Sequence, residues 1–237
     1  NFGLSPLVTE SEAMMWIAEK TSLQGTKKEI LDRVKQRVDS YLLPHIGLEK
    51  ENQILINRLQ LTEEIPEVIG DSTAMRNLAH LIHKVALTDA TVLIMGESGT
   101  GKEIAAKAIH ELSKRKAKPF LAQFCGSIPD NLLESELFGY KKGAFTGANN
   151  DKQGLLEAAD SGTFFLDESA DIATALQAKL LRVLENREII RLGDVKVRKI
   201  DARIITATNK DLQSLVKEGV FREDLFYRLN VFPIRVP

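Results

Sequence analysis

Two short stretches carry residue types whose spacing could do chemistry, and a third could do recognition. In "GESGTGKE", residues 96–103, Gly96, Gly101 and Lys102 form the pattern glycine, four residues, glycine, lysine, with Glu97, Ser98, Gly99 and Thr100 between. Glycines at a strand-to-helix junction let backbone N–H groups turn toward phosphate oxygens, and the helix N-terminus adds partial positive charge. Lys102 would reach the β- and γ-phosphates of a nucleotide. The generic pattern ends in Ser or Thr, whose hydroxyl serves Mg²⁺. This chain has Glu103, a carboxylate that could hold the metal directly or through water. A glycine turn with no ligand is the alternative, and the apolar run before it and the helical run after it argue against that. In "GTFFLDES", Asp167 and Glu168 end a strongly apolar run. Ligands of parallel sheets sit at the carboxyl ends of strands. There Asp167 would bind Mg²⁺ and Glu168 would polarise an attacking water. An acidic pair can also simply favour a helix start, and the phosphate loop tips the reading toward hydrolysis.

The third stretch is "GYKKGAFTGANN", residues 139–150, with glycines four apart at Gly139, Gly143 and Gly147, and a lone aromatic, Phe145. Each interior glycine costs a helix about 1 kcal/mol against Ala, so this is a loop. Composition alone favours a buried Phe145. The order of motifs favours a displayed one, because the stretch lies between the phosphate loop and the acidic pair. A loop there can respond to a γ-phosphate, with its glycines as hinges.

These residues need a scaffold. The 237 residues are 43% hydrophobic and 27% charged with a formal net charge of −1, enough for one large domain or two small ones. A balance so near neutral gives no electrostatic case for nucleic-acid binding by this chain. The single cysteine, Cys125, excludes an internal disulfide framework and suits a reducing, cytoplasmic setting. No apolar run approaches the ~20 residues of a membrane span, and no signal peptide is visible. The ends, Asn1 and "FPIRVP", suggest a piece of a longer protein.

Residues 1–62 form the first expected segment. Ile30, Leu31, Val34, Val38, Tyr41 and Leu42 follow helical spacing, and Pro44 ends that helix. Leu48, Asn52, Leu55 and Leu59 make a short heptad seam, which suits either a dimerising linker helix or a helix packed on the next domain. Pro66 and Gly70 mark a break, with Asp71 or Ser72 able to cap the next helix. Residues 63–237 then alternate. Helical runs lie at "TAMRNLAHLIHKVAL", "GKEIAAKAIHELSK", "DNLLESELF", "GLLEAAD", "IATALQAKLLRVLE" and "DLQSLVKEG". Strand runs lie at "ATVLIMG", "PFLAQFC", "GTFFLD" and "ARIITATN", with a hairpin signal around Gly193-Asp194. The alternation predicts an α/β fold, a parallel sheet flanked by helices on both faces.

The phosphate loop, the acidic strand end and "ESELFGYKKGAFTGA" together resemble the bacterial enhancer-binding proteins, AAA+ ATPases that activate RNA polymerase carrying sigma-54. The resemblance covers about residues 66–237. It implies a P-loop AAA+ α/β core that binds ATP and Mg²⁺ and assembles from dimers into hexameric or heptameric rings. "GESGTGKE" is the family's own form of the phosphate loop, and "GAFTGA" is its diagnostic sequence. Carried over residue by residue, Gly143, Ala144, Phe145, Thr146, Gly147 and Ala148 tip the loop that engages sigma-54. Asp167 and Glu168 match the Mg²⁺-binding and water-activating acids. Thr208 and Asn209 match the γ-phosphate sensor. Arg222 and Arg228 match arginines that reach a neighbouring subunit's nucleotide. On their own, those arginines would be read first as pairing with Glu223, Asp224 or other acids of one helix surface. Ile69 and Gly70 match the adenine contacts, and the Gly193-Asp194 hairpin matches a second inserted loop that supports the first.

The chain also departs from the family. Asn usually ends the second strand and restrains the catalytic Glu, whereas this chain has Phe124, which cannot hydrogen-bond a carboxylate. Gln123 could take over, Glu168 could be restrained differently, or coupling could be looser. Ser169 and Ala170 replace a more usual Ile-Gly. The family's helical lid and its helix-turn-helix domain for enhancer DNA have no counterpart before Pro237. A nucleotide-binding regulator without hydrolysis, and an unrelated P-loop kinase or GTPase, are the competing readings.

Overall fold

In the computed structural model, strand β1 (Val92–Met95) leads at its carboxyl end into the glycine-rich turn 96–101. The structure describes residues 72–237, which fall within one compact unit, Glu63–Pro237. The expected N-terminal helices, the heptad seam, Asp71, Ile69 and Gly70 lie outside the described residues.

Helix α1 (Thr73–Ala86) begins where Ser72 accepts a hydrogen bond from the Met75 N–H at 3.2 Å, the expected cap. Helix α2 (Lys102–Glu111) follows β1, then β2 (Phe120–Phe124) and α3 (Asp130–Phe138). A small hairpin, β3 (Gly139–Tyr140) with β4 (Lys152–Gln153), precedes α4 (Leu155–Ala158) and β5 (Thr163–Asp167). Next come a 3-10 turn (Ser169–Asp171), α5 (Thr174–Asn186), and the antiparallel pair β6 (Glu188–Ile189) and β7 (Arg198–Lys199). Then β8 (Arg203–Thr208), α6 (Leu212–Lys217), α7 (Glu223–Leu229) and β9 (Phe232–Arg235) complete the order.

The described residues build a five-stranded parallel sheet in the order β2-β5-β8-β1-β9. Successive side chains of a strand point to opposite faces, and the core divides accordingly. Leu93, Phe164, Leu166 and Ile204 pack on one face with residues of α3, α5 and α7. Val92, Ile94, Phe165, Ile205 and Ala207 pack on the other with α1 and α2. Both faces are therefore covered, as a parallel sheet requires. The strand β9 is absent from the sequence reading because Pro233 interrupts a short run. It sits at the sheet edge, where proline is tolerated.

One buried charge fixes the start of β8. Arg203 donates to the carbonyls of Val85 and Ala86 at 2.8 and 3.2 Å, satisfying the C-terminal end of α1. Burial draws its guanidinium down to about 10, still protonated at neutral pH. No helix among the described residues is long and apolar enough to cross a membrane.

Candidate nucleotide site and partner loop

The turn between β1 and α2 has the backbone its glycines predict. Gly99 and Gly101 take φ of 82° and 85°, a region that other residues rarely adopt. A side chain at Gly96 would lie 2.7 Å from Thr100 Oγ1. Gly101 caps α2 without any side-chain hydrogen bond, so the first N–H groups of the helix remain available to an anion. Glu97 and Ser98 are exposed, and Thr100 donates its hydroxyl to Glu97 O at 3.0 Å.

Lys102 is buried, and its ammonium donates to Gly96 O at 3.1 Å and Glu97 O at 3.0 Å. It also lies 3.7 Å from Glu168 Oε1. The other oxygen of Glu168 accepts the Asn209 N–H at 3.2 Å. Gly96 N–H in turn donates to Thr208 O at 3.3 Å. The phosphate-loop lysine, the acidic strand end and the end of β8 thus meet at the carboxyl edge of the sheet, where β5, β8 and β1 lie side by side. Glu168 holds φ 51° and ψ 49°, a left-handed backbone uncommon for a non-glycine residue.

Asp167 ends β5 half-buried, with Oδ1 accepting the Glu168 N–H at 2.9 Å. Glu103 is exposed on the first turn of α2. Among the described residues no three His, Cys, Asp or Glu side chains gather to hold a metal. Hard carboxylate oxygens supplied singly, at a phosphate-binding turn, suit Mg²⁺, which keeps waters and takes substrate phosphates as ligands. Cys125, next along from Phe124, is buried beside this edge. Burial, with the Asp167 and Asp171 charges, pushes its thiol up to about 12, so it is no nucleophile.

Beside Phe124, the structure gives Gln123 a different partner from Glu168. Gln123 Nε2 donates to Phe124 O at 2.7 Å and makes no bond to Glu168. Glu168 is restrained by Lys102 and the Asn209 backbone instead. Phe124 is half exposed, and in register with Asp167 on the neighbouring strand. Arg222 makes a bidentate pair with Asp224 at 3.0 and 2.7 Å, and Arg228 pairs with Glu185 on α5 at 3.3 Å. Within one copy of the chain, then, both arginines are held by surface acids.

The loop 143–148 is closed by backbone bonds, Gly143 N–H to Ala148 O at 2.9 Å and Ala148 N–H to Phe145 O at 3.0 Å. Gly143, Phe145, Thr146 and Gly147 are exposed, Ala144 is half-buried and Ala148 is buried. Phe145 is 45% exposed and rests edge-on against Tyr140, ring centroids 4.9 Å apart. It is displayed, but parked on an aromatic neighbour.

The second loop backs the first. Lys141 N–H donates to Leu192 O, and Leu192 N–H to Gly139 O, both at 2.9 Å. Arg191 grips Glu157 of α4 through two bonds at 2.9 and 2.8 Å. The expected hairpin is present but wide. β6 and β7 flank residues 190–197, and the turn closes from Asp194 N–H to Arg191 O, with Gly193 at φ 69° inside it. A Cβ on Gly193 would meet Ala144 Cβ at 2.7 Å. Sequence reasoning missed that contact and the β3–β4 hairpin, since two-residue strands and long-range contacts leave no periodic trace.

A parallel α/β sheet with a lysine-bearing phosphate loop, an acidic strand end and a polar residue closing the neighbouring strand defines a P-loop nucleotide-binding domain of the AAA+ class. The comparisons with known proteins narrow this further. Residues 68–235 match the Sigma-54 interaction domain. The nitrogen fixation protein AnfA of Azotobacter vinelandii is 50% identical over 203 residues, 84% of this chain and 38% of its own length. The regulatory protein AtoC of Escherichia coli is 50% identical over 191 residues, 81% of this chain and 41% of its own. The structure of NtrX from Brucella abortus in complex with ADP superposes with a TM-score of 0.67 at 39% identity, covering 87% of this chain and 45% of that one. The chain belongs to the sigma-54 interaction domain family, the AAA+ domain of the bacterial enhancer-binding proteins. It spans less than half the length of these relatives.

Proposed function

We propose that this chain is the ATP-hydrolysing domain of a sigma-54-dependent activator, and that turnover drives the loop 143–148 against sigma-54 RNA polymerase. The observation that carries the reading is the meeting of Lys102, Glu168 and the Asn209 N–H at one sheet edge, beside an uncapped helix N-terminus. The membership in the sigma-54 family and the ADP complex of the relative NtrX support it.

In this reading the N–H groups of residues 96–102 cradle the phosphates. Lys102 leaves the carbonyls of Gly96 and Glu97, and its contact with Glu168, for the β- and γ-phosphates. Mg²⁺, when bound, neutralises charge developing on those phosphates, and Asp167, with Glu103 directly or through water, would hold it. Glu168, released from Lys102, accepts the proton of the attacking water. Thr208 and Asn209 sense the γ-phosphate. Ile69 and Gly70 contact the adenine. Arg222 and Arg228 exchange their surface acids for the nucleotide of a neighbouring copy, which makes hydrolysis depend on ring assembly. The residues 1–62 serve as a regulatory segment and a linker, which either dimerises or packs on the next domain. Enhancer DNA binding belongs to a further domain.

Steady-state phosphate release tests the reading. Turnover should rise more than linearly with protein concentration, and Lys102→Ala should abolish it. Thr146→Ala should spare turnover but lose sigma-54 binding and open-complex formation. A Thr146→Ala protein that still forms open complexes would rule out the loop assignment, and a wild type without turnover would rule out the ATPase.

A further inference from the structure

The turn that carries Glu168 is riveted to the strand end that carries Asn209 at three points. Ser169, fully buried, donates its hydroxyl to Ala207 O at 3.2 Å. Asn209 N–H donates to Glu168 Oε2 at 3.2 Å. Lys210 Nζ pairs with Asp171 Oδ1 at 2.5 Å. Residues 168–171 make up one side and 207–210 the other. Each side is also braced internally, by Asp171 N–H to Glu168 O at 3.0 Å and by Lys210 N–H to Thr208 Oγ1 at 3.0 Å. The left-handed backbone of Glu168 is disfavoured for a side chain with a Cβ, so its surroundings have to hold it.

We propose that Ser169, Asp171 and Lys210 are positioning residues that lock the Glu168 carboxylate to the Asn209 amide, so that displacing Asn209 and re-aiming Glu168 are a single event. None of the three needs to touch nucleotide. They act through Glu168, and their consequence for turnover rests on the ATPase reading above. A purely structural role for the ion pair is a weak competitor. The Lys210 and Asp171 side chains are 50% and 32% exposed, and pairs this accessible contribute little to stability. Removing one partner should therefore leave the fold intact and loosen the joint. A glutamate misplaced by even about 1 Å can slow a reaction about a hundredfold.

The test uses the full chain with Asp171→Asn, Lys210→Gln and the charge-swapped double variant Asp171→Lys/Lys210→Asp. For each single variant the rate of phosphate release should fall about tenfold, with KM changed by less than about twofold and Tm by less than about 2 °C. Amide exchange at Asn209, followed without nucleotide, should speed up about threefold as its N–H loses its carboxylate partner. The swapped pair should restore the rate to within about threefold and the exchange to within about 1.5-fold of wild type. Unchanged exchange at Asn209 in both single variants, or a swapped pair no better than either, overturns the proposal. If the wild type releases no phosphate, the ATPase reading fails, and the Asn209 exchange rates decide the joint by themselves.

Discussion

Gly193→Ala is the sharpest probe of how the two loops work together. The new Cβ would stand 2.7 Å from Ala144 Cβ and 3.0 Å from Ala144 Cα, well inside van der Waals contact. Two costs arise and they are separable. The backbone at φ 69° is left-handed, which costs Ala about 1 kcal/mol relative to glycine. The overlap with Ala144 adds about 1–2 kcal/mol if the loop holds, as overpacking does. The sum, about 2–3 kcal/mol, lowers Tm by about 5–10 °C for a domain of this size. Yet Ala144 lies on a half-exposed loop, so the overlap can also be relieved by pushing residues 143–148 away from the second loop. Function then suffers where stability is spared. The assay is a thermal melt together with sigma-54 binding in the presence of ATP and a transition-state mimic. Binding should fall at least about tenfold while phosphate release stays within about twofold. The double variant Gly193→Ala/Ala144→Gly removes the closer overlap but keeps the backbone cost. Its Tm should recover to within about 1 kcal/mol equivalent of wild type. A Gly193→Ala protein with wild-type Tm and wild-type sigma-54 binding would refute the claim that the second loop sets the position of the first.

Two further outcomes follow from the same geometry. Gln123 bonds its neighbour's carbonyl rather than Glu168, so Gln123→Ala should leave phosphate release within about twofold of wild type; a large loss would reinstate it as the restraint on Glu168. His110 is buried on α2, its Nδ1 2.9 Å from Thr163 Oγ1, and burial holds its pKa below the ordinary 6.5. The unfolded chain therefore takes up a proton there that the fold does not, and stability is lost as pH drops below about 6.5. Carboxylates held low, such as Asp89 hydrogen-bonded to Arg115, act below about pH 5 and leave that window clear. Tm should fall between about pH 7 and 5.5, and less steeply in His110→Gln; equal slopes would exclude His110 as the cause.

Much of the fold was legible because it is periodic. The apolar runs at 92–95, 163–167 and 203–208 became adjacent buried strands, and the helices between them cover both faces. The strand with Pro233 and the two-residue strands of the loop hairpin escaped, being too short or too interrupted to show a period. Phe145 was posed as buried or displayed, and it is neither wholly: Tyr140 shelters one edge.

The sequence by itself determined the phosphate loop, the acidic pair and the glycine-rich loop 143–148, because each is a pattern written in consecutive residues. Only the tertiary structure decided what those residues touch. That Glu168 answers to Lys102 and Asn209, that Arg228 rests on Glu185, and that Gly193 must leave room for Ala144 all depend on strand order and loop packing. Residues dozens of positions apart meet there, and no local pattern encodes the distance between them.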